Sequence, residues 1–442
     1  MAETVEPVAR RPMSDAPRAA WKALREEIDS QPRALKLWFG VLTLLMAFGA
    51  WGALLSLPPG DEVFGTKPSF EWGLLIAAYV FFAITTSGLC LASSLGTVFG
   101  LERFMPLEKR HAVLALLSLV TAFGVIALDL HWPIRLGFGA VLSPSPMSPM
   151  WWMGVLYAGY LVLLMTEVWS MFRGHERIHN IACTAASCMA ILAPSTLGAV
   201  FGVLASRPYW HGSFTPPSLL AAALLSGISL LGICFYFVHR FQLKGWERAT
   251  TLAIPALRLL LTISLAVTIL VAAWQILTTL YGSVPGLGDA MGAMLVGPLA
   301  PWFWVGRVGV GIAIPLMLVL YRPTQTPIGL LVASVLAFVG VLVDRVLFVS
   351  TGQIVSSTPS AGVVSSPYNT YSPSLVEISI LVGALAFLAF GYTLAERFLD
   401  MSEHVGSHRP LLSGWGRHPH EDATHDHATL DHGAHGAAAA EH

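Results

Sequence analysis

Of 442 residues, 55% are hydrophobic and only 12% charged, and the mean hydropathy is +0.66. Those values exclude a water-soluble globular protein of this size and put most of the chain in lipid. The net charge of −1 says nothing about partners, because in such a chain the positions of Lys and Arg carry the information.

The first 35 residues form a polar, basic arm with no apolar core ahead of the first long hydrophobic run, so no cleavable signal peptide is expected. A hydrocarbon core of roughly 30 Å needs about 20 apolar residues in a helix. Runs of that length predict ten spans, near 36–57, 70–100, 109–130, 149–172, 177–205, 216–239, 252–281, 302–321, 327–350 and 374–396. They are too long and continuous for barrel strands, and backbone polar groups in lipid have to be satisfied within the segment, so the expected class is an all-α membrane protein. The membrane body covers 36–397. The tail, 398–442, holds nine of the fifteen histidines among Asp, Gly and Ala without apolar periodicity, and is expected to be disordered. Weak Zn²⁺, Ni²⁺ or Cu²⁺ binding there is chemically plausible, but no spacing fixes a geometry.

Basic residues fall on one side. The arm carries Arg10, Arg11, Arg18, Lys22, Arg25, Arg33 and Lys36, and the even-numbered loops add Arg103, Lys109, Arg110, Arg173, Arg177, Arg240, Lys244, Arg248 and Arg322. The odd loops have only Lys67, Arg135 and Arg207. The positive-inside rule then puts both termini in the cytoplasm of a bacterial inner membrane, which an even number of spans requires. Cys90, Cys183, Cys188 and Cys234 all lie within predicted spans with no CxxC, which argues against iron–sulfur, c-type haem and structural zinc sites.

Two pairs of motifs suggest an internal duplication. Pro149-Met-Trp-Trp-Met-Gly154 opens the fourth span and Pro301-Trp-Phe-Trp-Val-Gly306 the eighth; Ser87-Gly88-Leu89 in the second span matches Ser226-Gly227-Ile228 in the sixth. Both pairs run in the same direction. The expectation is two four-helix bundles, spans 2–5 and 6–9, related by an axis along the membrane normal, with spans 1 and 10 peripheral. An interfacial start signal would also account for the Pro-Trp-Trp match.

An ionisable group inside a span costs roughly 2.5–3.5 kcal/mol, so each that persists is a candidate for function or for a specific partner. On the outer side these are Asp129, closing the third span, His131 and Arg135 beyond it, Arg307 early in the eighth span, and Asp344 and Arg345 late in the ninth. Arg307 lies six residues past Pro301, about 9 Å along an α-helix. Asp344 and Arg345 point about 100° apart and are expected not to pair with each other. Arg307 with Asp344 is the expected pair, leaving Arg345 to face a cavity or a polar head group; a pair that only fastens two helices is the alternative. The loop Arg207-Pro-Tyr-Trp-His-Gly212 brings Tyr209, Trp210 and His211 together, groups suited to stacking on a quinone ring and exchanging its protons. An aromatic-belt origin fits the first two equally, as it does Trp151 and Trp152. Toward the cytoplasm, Glu167 stands alone in an apolar stretch of the fourth span, either a proton-relay group or a residue reaching to the interface. His111, His179 and His239 sit at helix ends beside arginines, which disfavours a haem.

With these residues in hand, the chain resembles the NrfD/PsrC (polysulfide reductase-like) family of integral-membrane quinone-interacting subunits, especially its ten-helix branch. The likeness is carried by the stretch from Thr86 to Gly154, including Ser87-Gly88-Leu89, the Val98-Phe-Gly-Leu-Glu-Arg-Phe104 segment, Ala127-Leu-Asp-Leu130 and the Pro-Met-Trp-Trp motif. It continues through Ser195-Thr-Leu-Gly198 and Arg207–Gly212. Where the family usually reads Asp-Leu-Gly-Arg-Pro, this chain reads Asp129-Leu-His-Trp-Pro133, and a His found in some relatives before Ser-Leu-Gly is absent at Ala193-Pro194. The resemblance implies a subunit without haem or iron–sulfur cluster of its own that binds menaquinone or ubiquinone near the outer face. It would exchange electrons with an iron–sulfur, ferredoxin-like subunit docked there, within a complex holding molybdopterin, multihaem cytochrome or hydrogenase-type subunits, and protons would move through one bundle. The bottom-up alternatives are a secondary transporter, which also shows repeated bundles with buried charges, and a purely structural anchor of a redox complex.

Overall fold

The structure is a computed structural model that describes residues 33–57, 63–97, 108–130, 144–241, 247–282, 284–355, 368–399 and 401. The arm up to residue 32, the tail beyond 401, and His131 and Arg135 lie outside the described residues. Among the described residues, ten helices are long and apolar enough to cross a membrane. They are α1 (Arg33–Leu55), α2 (Leu74–Thr97), α3 (Glu108–Asp129), α4 (Pro149–Arg173), α5 (Glu176–Gly202), α6 (Thr215–Phe241), α7 (Glu247–Tyr281), α8 (Trp302–Leu320), α9 (Pro327–Thr351) and α10 (Leu375–Phe398). Each expected span is present, with its ends moved by a few residues. A short helix outside the expected spans, Leu287–Leu295, is too brief to cross and buries Ala290, Met291, Ala293 and Met294 between α7 and α8.

Local chemistry sets several ends. Pro149 and Pro327 stand in the first turns of α4 and α9, where a missing N–H costs nothing. Gly174, at φ 72°, closes α4 and turns the chain directly into α5. Ser374 and Glu377 form a reciprocal capping box at the start of α10.

The helices form two rings. α2 packs on α3, α3 on α4, α4 on α5, and α5 returns to α2; in the second ring α6 packs on α7, α7 on α8, α8 on α9, and α9 on α6. α1 packs on α10, which leans on α3 from outside both rings. The rings join where α2 crosses α6, at the two copies of the repeated Ser-Gly motif. A Cβ on Gly88 would overlap the carbonyl of Ala223, and one on Gly227 would overlap the backbone of Gly88 and Leu89. The duplicated glycines are therefore each other's contact, as expected for small residues that let membrane helices approach closely.

One end of the body is rich in tryptophan (Trp72, Trp151, Trp152, Trp210, Trp302, Trp304), and the other is basic (Lys109, Arg110, Arg173, Arg177, Arg322, Arg397). At the basic end Arg110 donates from Nε to Glu396 at 2.7 Å, and the Tyr392 hydroxyl donates to the same carboxylate at 2.6 Å, tying α10 to α3. At the tryptophan-rich end the buried carboxylate of Glu377 accepts from the backbone N–H groups of Gly65, Leu74 and Ser374 and from the Tyr371 hydroxyl.

Candidate functional site

A small pocket opens inside the α6–α9 ring near the tryptophan-rich end. Ser218, Ala221 and Ala222 of α6 and Thr268, Ala272 and Gln275 of α7 form one side of it. The other side is Arg307, Asp344, Arg345 and Phe348, closed by Tyr209 from the α5–α6 loop. The duplication explains why the space is in this ring. Eight residues before the motif serine stands Ser218 in α6 but Tyr79 in α2, and the large buried ring of Tyr79, with its hydroxyl 3.7 Å from the Met153 sulfur, occupies the equivalent level of the other bundle.

The charged wall is an Arg–Asp–Arg triad. Arg307 Nε donates to Asp344 Oδ1 at 2.8 Å, as the sequence suggested. Contrary to expectation, Arg345 also pairs with its neighbour Asp344, through Nη2 and Oδ2. The two Cβ directions diverge, but the flexible stem of an arginine is long enough to fold its guanidinium back across that angle. Arg345 is 3% exposed, and its Nε and Nη1 have no partner among the described residues. Its guanidinium lies 5.2 Å from the Phe348 ring centre, and that of Arg307 lies 5.6 Å from Phe303. Burial raises the Tyr209 phenol above its ordinary pKa against the opposing pull of Arg307, so it stays neutral and able to donate.

α8 differs from the expected α-helix. Residues Trp302–Ala313 are wound as a π-helix, in which groups five apart stack on one side. Gly306 meets Val343 and Gly311 meets Gly340, five residues apart on α8 and both against α9. The wider winding lets both glycines face α9, and a shorter advance per residue leaves Arg307 nearer the helix start than an α-helix would.

The other expected site residues are dispersed. Trp210 is buried with its ring stacked 5.0 Å from Trp72, and its Nε1 donates to the Phe348 carbonyl at 2.8 Å, behind the pocket wall. His211 is exposed and does not line the pocket. Trp152 donates to the Pro146 carbonyl and faces outward, with Trp151 edge-on against it. Asp129 is half-buried at the end of α3, near Tyr371.

Glu167 is not isolated. It is 2% exposed inside the α2–α5 ring, within hydrogen-bonding reach of the Cys183 thiol and beside His179. The His179 Nε2 in turn lies 2.8 Å from Glu108 at the basic end. Above it on the same α4 face are Tyr160, near Cys90, and Tyr157. The spacing of Tyr157, Tyr160, Leu164, Glu167 and Ser170 marks one helix face and was readable in the sequence.

Ten helices long and apolar enough to cross a membrane, among the described residues, define a multi-pass membrane protein. Residues 62–356 match the family described as polysulphide reductase, NrfD, and the chain belongs to that family. Among its relatives is a selenate reductase subunit of Mesobacillus selenatarsenatis, 24% identical with 83% of this chain and 94% of that protein covered. The Hdr-like menaquinol oxidoreductase integral membrane subunit of Archaeoglobus fulgidus is 25% identical, covering 79% and 89%. A putative dimethyl sulfoxide reductase membrane subunit of Halobacterium salinarum is 28% identical, covering 82% and 91%.

Proposed function

We propose that this chain is the quinone-binding membrane subunit of a respiratory redox complex, and that the quinone ring binds in the α6–α9 pocket. The supporting observation is the buried Arg307–Asp344–Arg345 triad beside a small pocket near the tryptophan-rich end, with Arg345 Nε and Nη1 buried and without an acceptor among the described residues. Guanidinium N–H groups donate to a quinone carbonyl, and Phe348 and Tyr209 supply flat faces for the ring. The family and the names of its relatives favour a quinone over a transported solute. With the basic end facing the cytoplasm of the inner membrane, both termini are cytoplasmic and the pocket opens toward the outer face. Electrons then pass to an iron–sulfur partner docked on that face. Whether the quinone is menaquinone or ubiquinone, and whether it is reduced or oxidised, depends on the partner subunits.

The test is quenching of tryptophan fluorescence by HOQNO, a quinol analogue, in the purified full chain. Arg307→Gln keeps the Asp344–Arg345 pair and removes one charged donor worth about 1.5–3 kcal/mol, so binding weakens roughly tenfold or more. His211→Ala leaves binding unchanged. Undiminished binding in Arg307→Gln would place the quinone elsewhere.

A second element of the proposal is proton movement through the α2–α5 ring. The column from Glu108 through His179 and Glu167 to Tyr160 and Tyr157 supports it, since buried acids and imidazoles in a membrane bundle are the groups of proton relays. Glu167→Gln removes the exchangeable carboxyl while keeping its volume. In the complete complex reconstituted in liposomes, this change abolishes proton transfer coupled to quinol turnover and leaves HOQNO binding intact. Full coupling in the variant excludes Glu167 from the path.

A further inference from the structure

We infer that the basic end of the α1–α10 pair binds an anionic phospholipid, with Arg33, Lys36 and Arg397 taking its phosphate. The site lies at the opposite end of the body from the α6–α9 pocket and does not depend on the quinone reading.

One contact fixes the depth of these residues. Trp38 of α1 donates from Nε1 to the Thr393 hydroxyl of α10 at 3.2 Å, and its ring stacks 6.2 Å from that of Phe237 in α6. Counting outward from that layer at about 1.5 Å per residue, Lys36, Arg397 and Arg33 stand roughly 3, 6 and 7.5 Å beyond it. Three cations from two packed helices therefore share one narrow band, just past a tryptophan of the kind that sits at headgroup level. All three are exposed. The carboxylate next to Arg397, that of Glu396, is nearly buried and already accepts from Arg110 and Tyr392. A phosphodiester complements a positive band at this depth.

Below the cations each helix shows lipid an apolar stripe. On α1, Arg33 heads Leu37, Val41 and Leu44, which follow it at helical spacing on one face and are all exposed. On α10, the exposed Phe387 and Leu394 run along one face up to Arg397. Cations at the head of apolar stripes match both parts of a phospholipid, whereas free phosphate would use only the first. The two helices are already held together, with Gly49 against Gly383, so the cations come preassembled.

The test is native mass spectrometry of the purified full chain offered equal amounts of phosphatidylglycerol and phosphatidylcholine. Phosphatidylglycerol is expected to be retained in clear preference. Each basic side chain near an anionic headgroup contributes about fivefold, so Arg33→Gln, Lys36→Gln and Arg397→Gln combined lower its affinity roughly 100-fold and leave phosphatidylcholine unaffected. Raising the salt weakens phosphatidylglycerol binding in the unmodified protein, which keeps the inference testable if the variant folds poorly. Inorganic phosphate is expected not to displace the lipid; displacement would make this a site for free phosphate and overturn the inference. Equal retention of the two lipids overturns it, and so does a preference that survives the triple substitution.

Discussion

Replacing Asp344 by alanine lowers the stability of the folded protein by about 3–5 kcal/mol, the usual cost of breaking a buried ion pair from one side. The effect is large because one carboxylate serves two arginines, and its loss strands both positive charges in a site where Asp344 is 9% and Arg345 3% exposed. The measurement is thermal unfolding in detergent followed by tryptophan emission. Replacing all three members by Met, Leu and Met recovers the stability, because apolar residues of similar volume replace buried ion networks at little cost. It does not recover HOQNO binding. That separation distinguishes a triad that binds ligand from one that only fastens α8 to α9. An alanine variant as stable as the parent would show that the arginines find other partners.

The second large effect belongs to Glu377. Its carboxylate accepts from Gly65 N at 3.0 Å, Leu74 N at 3.2 Å, Ser374 N at 2.8 Å and the Tyr371 hydroxyl at 2.6 Å, joining the starts of α2 and α10. Leu74 N has a second acceptor in the Tyr371 oxygen, but Gly65 N and Ser374 N have no other acceptor among the described residues. In Glu377→Ala each loses its partner at roughly 1–3 kcal/mol apiece. Hydrogen exchange of the segment from Gly65 to Leu74 is therefore expected to accelerate by about tenfold or more. Glutamine rescues only in part, because its amide presents two donors to a site that supplies donors already. Unchanged exchange in Glu377→Ala would mean that the other contacts of this segment, such as Trp72 with Gln353 and Ser69 with Asn369, hold this corner.

Much of the architecture was legible because lipid imposes a length rule: a run near 20 apolar residues is a span, and all ten were found within a few residues of their place. The repeated Ser-Gly motif was legible as duplication, although that its two copies touch follows only from the crossing of α2 and α6. The Arg307–Asp344 pair was readable from a short hairpin between neighbouring spans. The bond between Asp344 and Arg345 was not, because directions from Cβ ignore how far an arginine bends back. The pocket itself draws on residues from Tyr209 to Phe348 and on the small size of Ser218, a combination that no local pattern encodes. Glu167 looked solitary because its partners His179 and Glu108 come from other helices, and a hydropathy count scores Tyr157 and Tyr160 as ordinary bulk.

The winding of α8 turns chain length into a determinant of the ligand site. Because Gly306 and Gly311 both meet α9 from five residues apart, the contact depends on how many residues separate them as well as on their lacking side chains. Removing one residue from that interval restores the four-residue phase of an ordinary helix and swings everything on one side of the cut around the axis relative to the other. Arg307 sits just inside the interval, so deleting one residue there is expected to rotate its charge away from Asp344. In this segment, insertions and deletions are changes of register, and register decides which side of the helix the cation occupies.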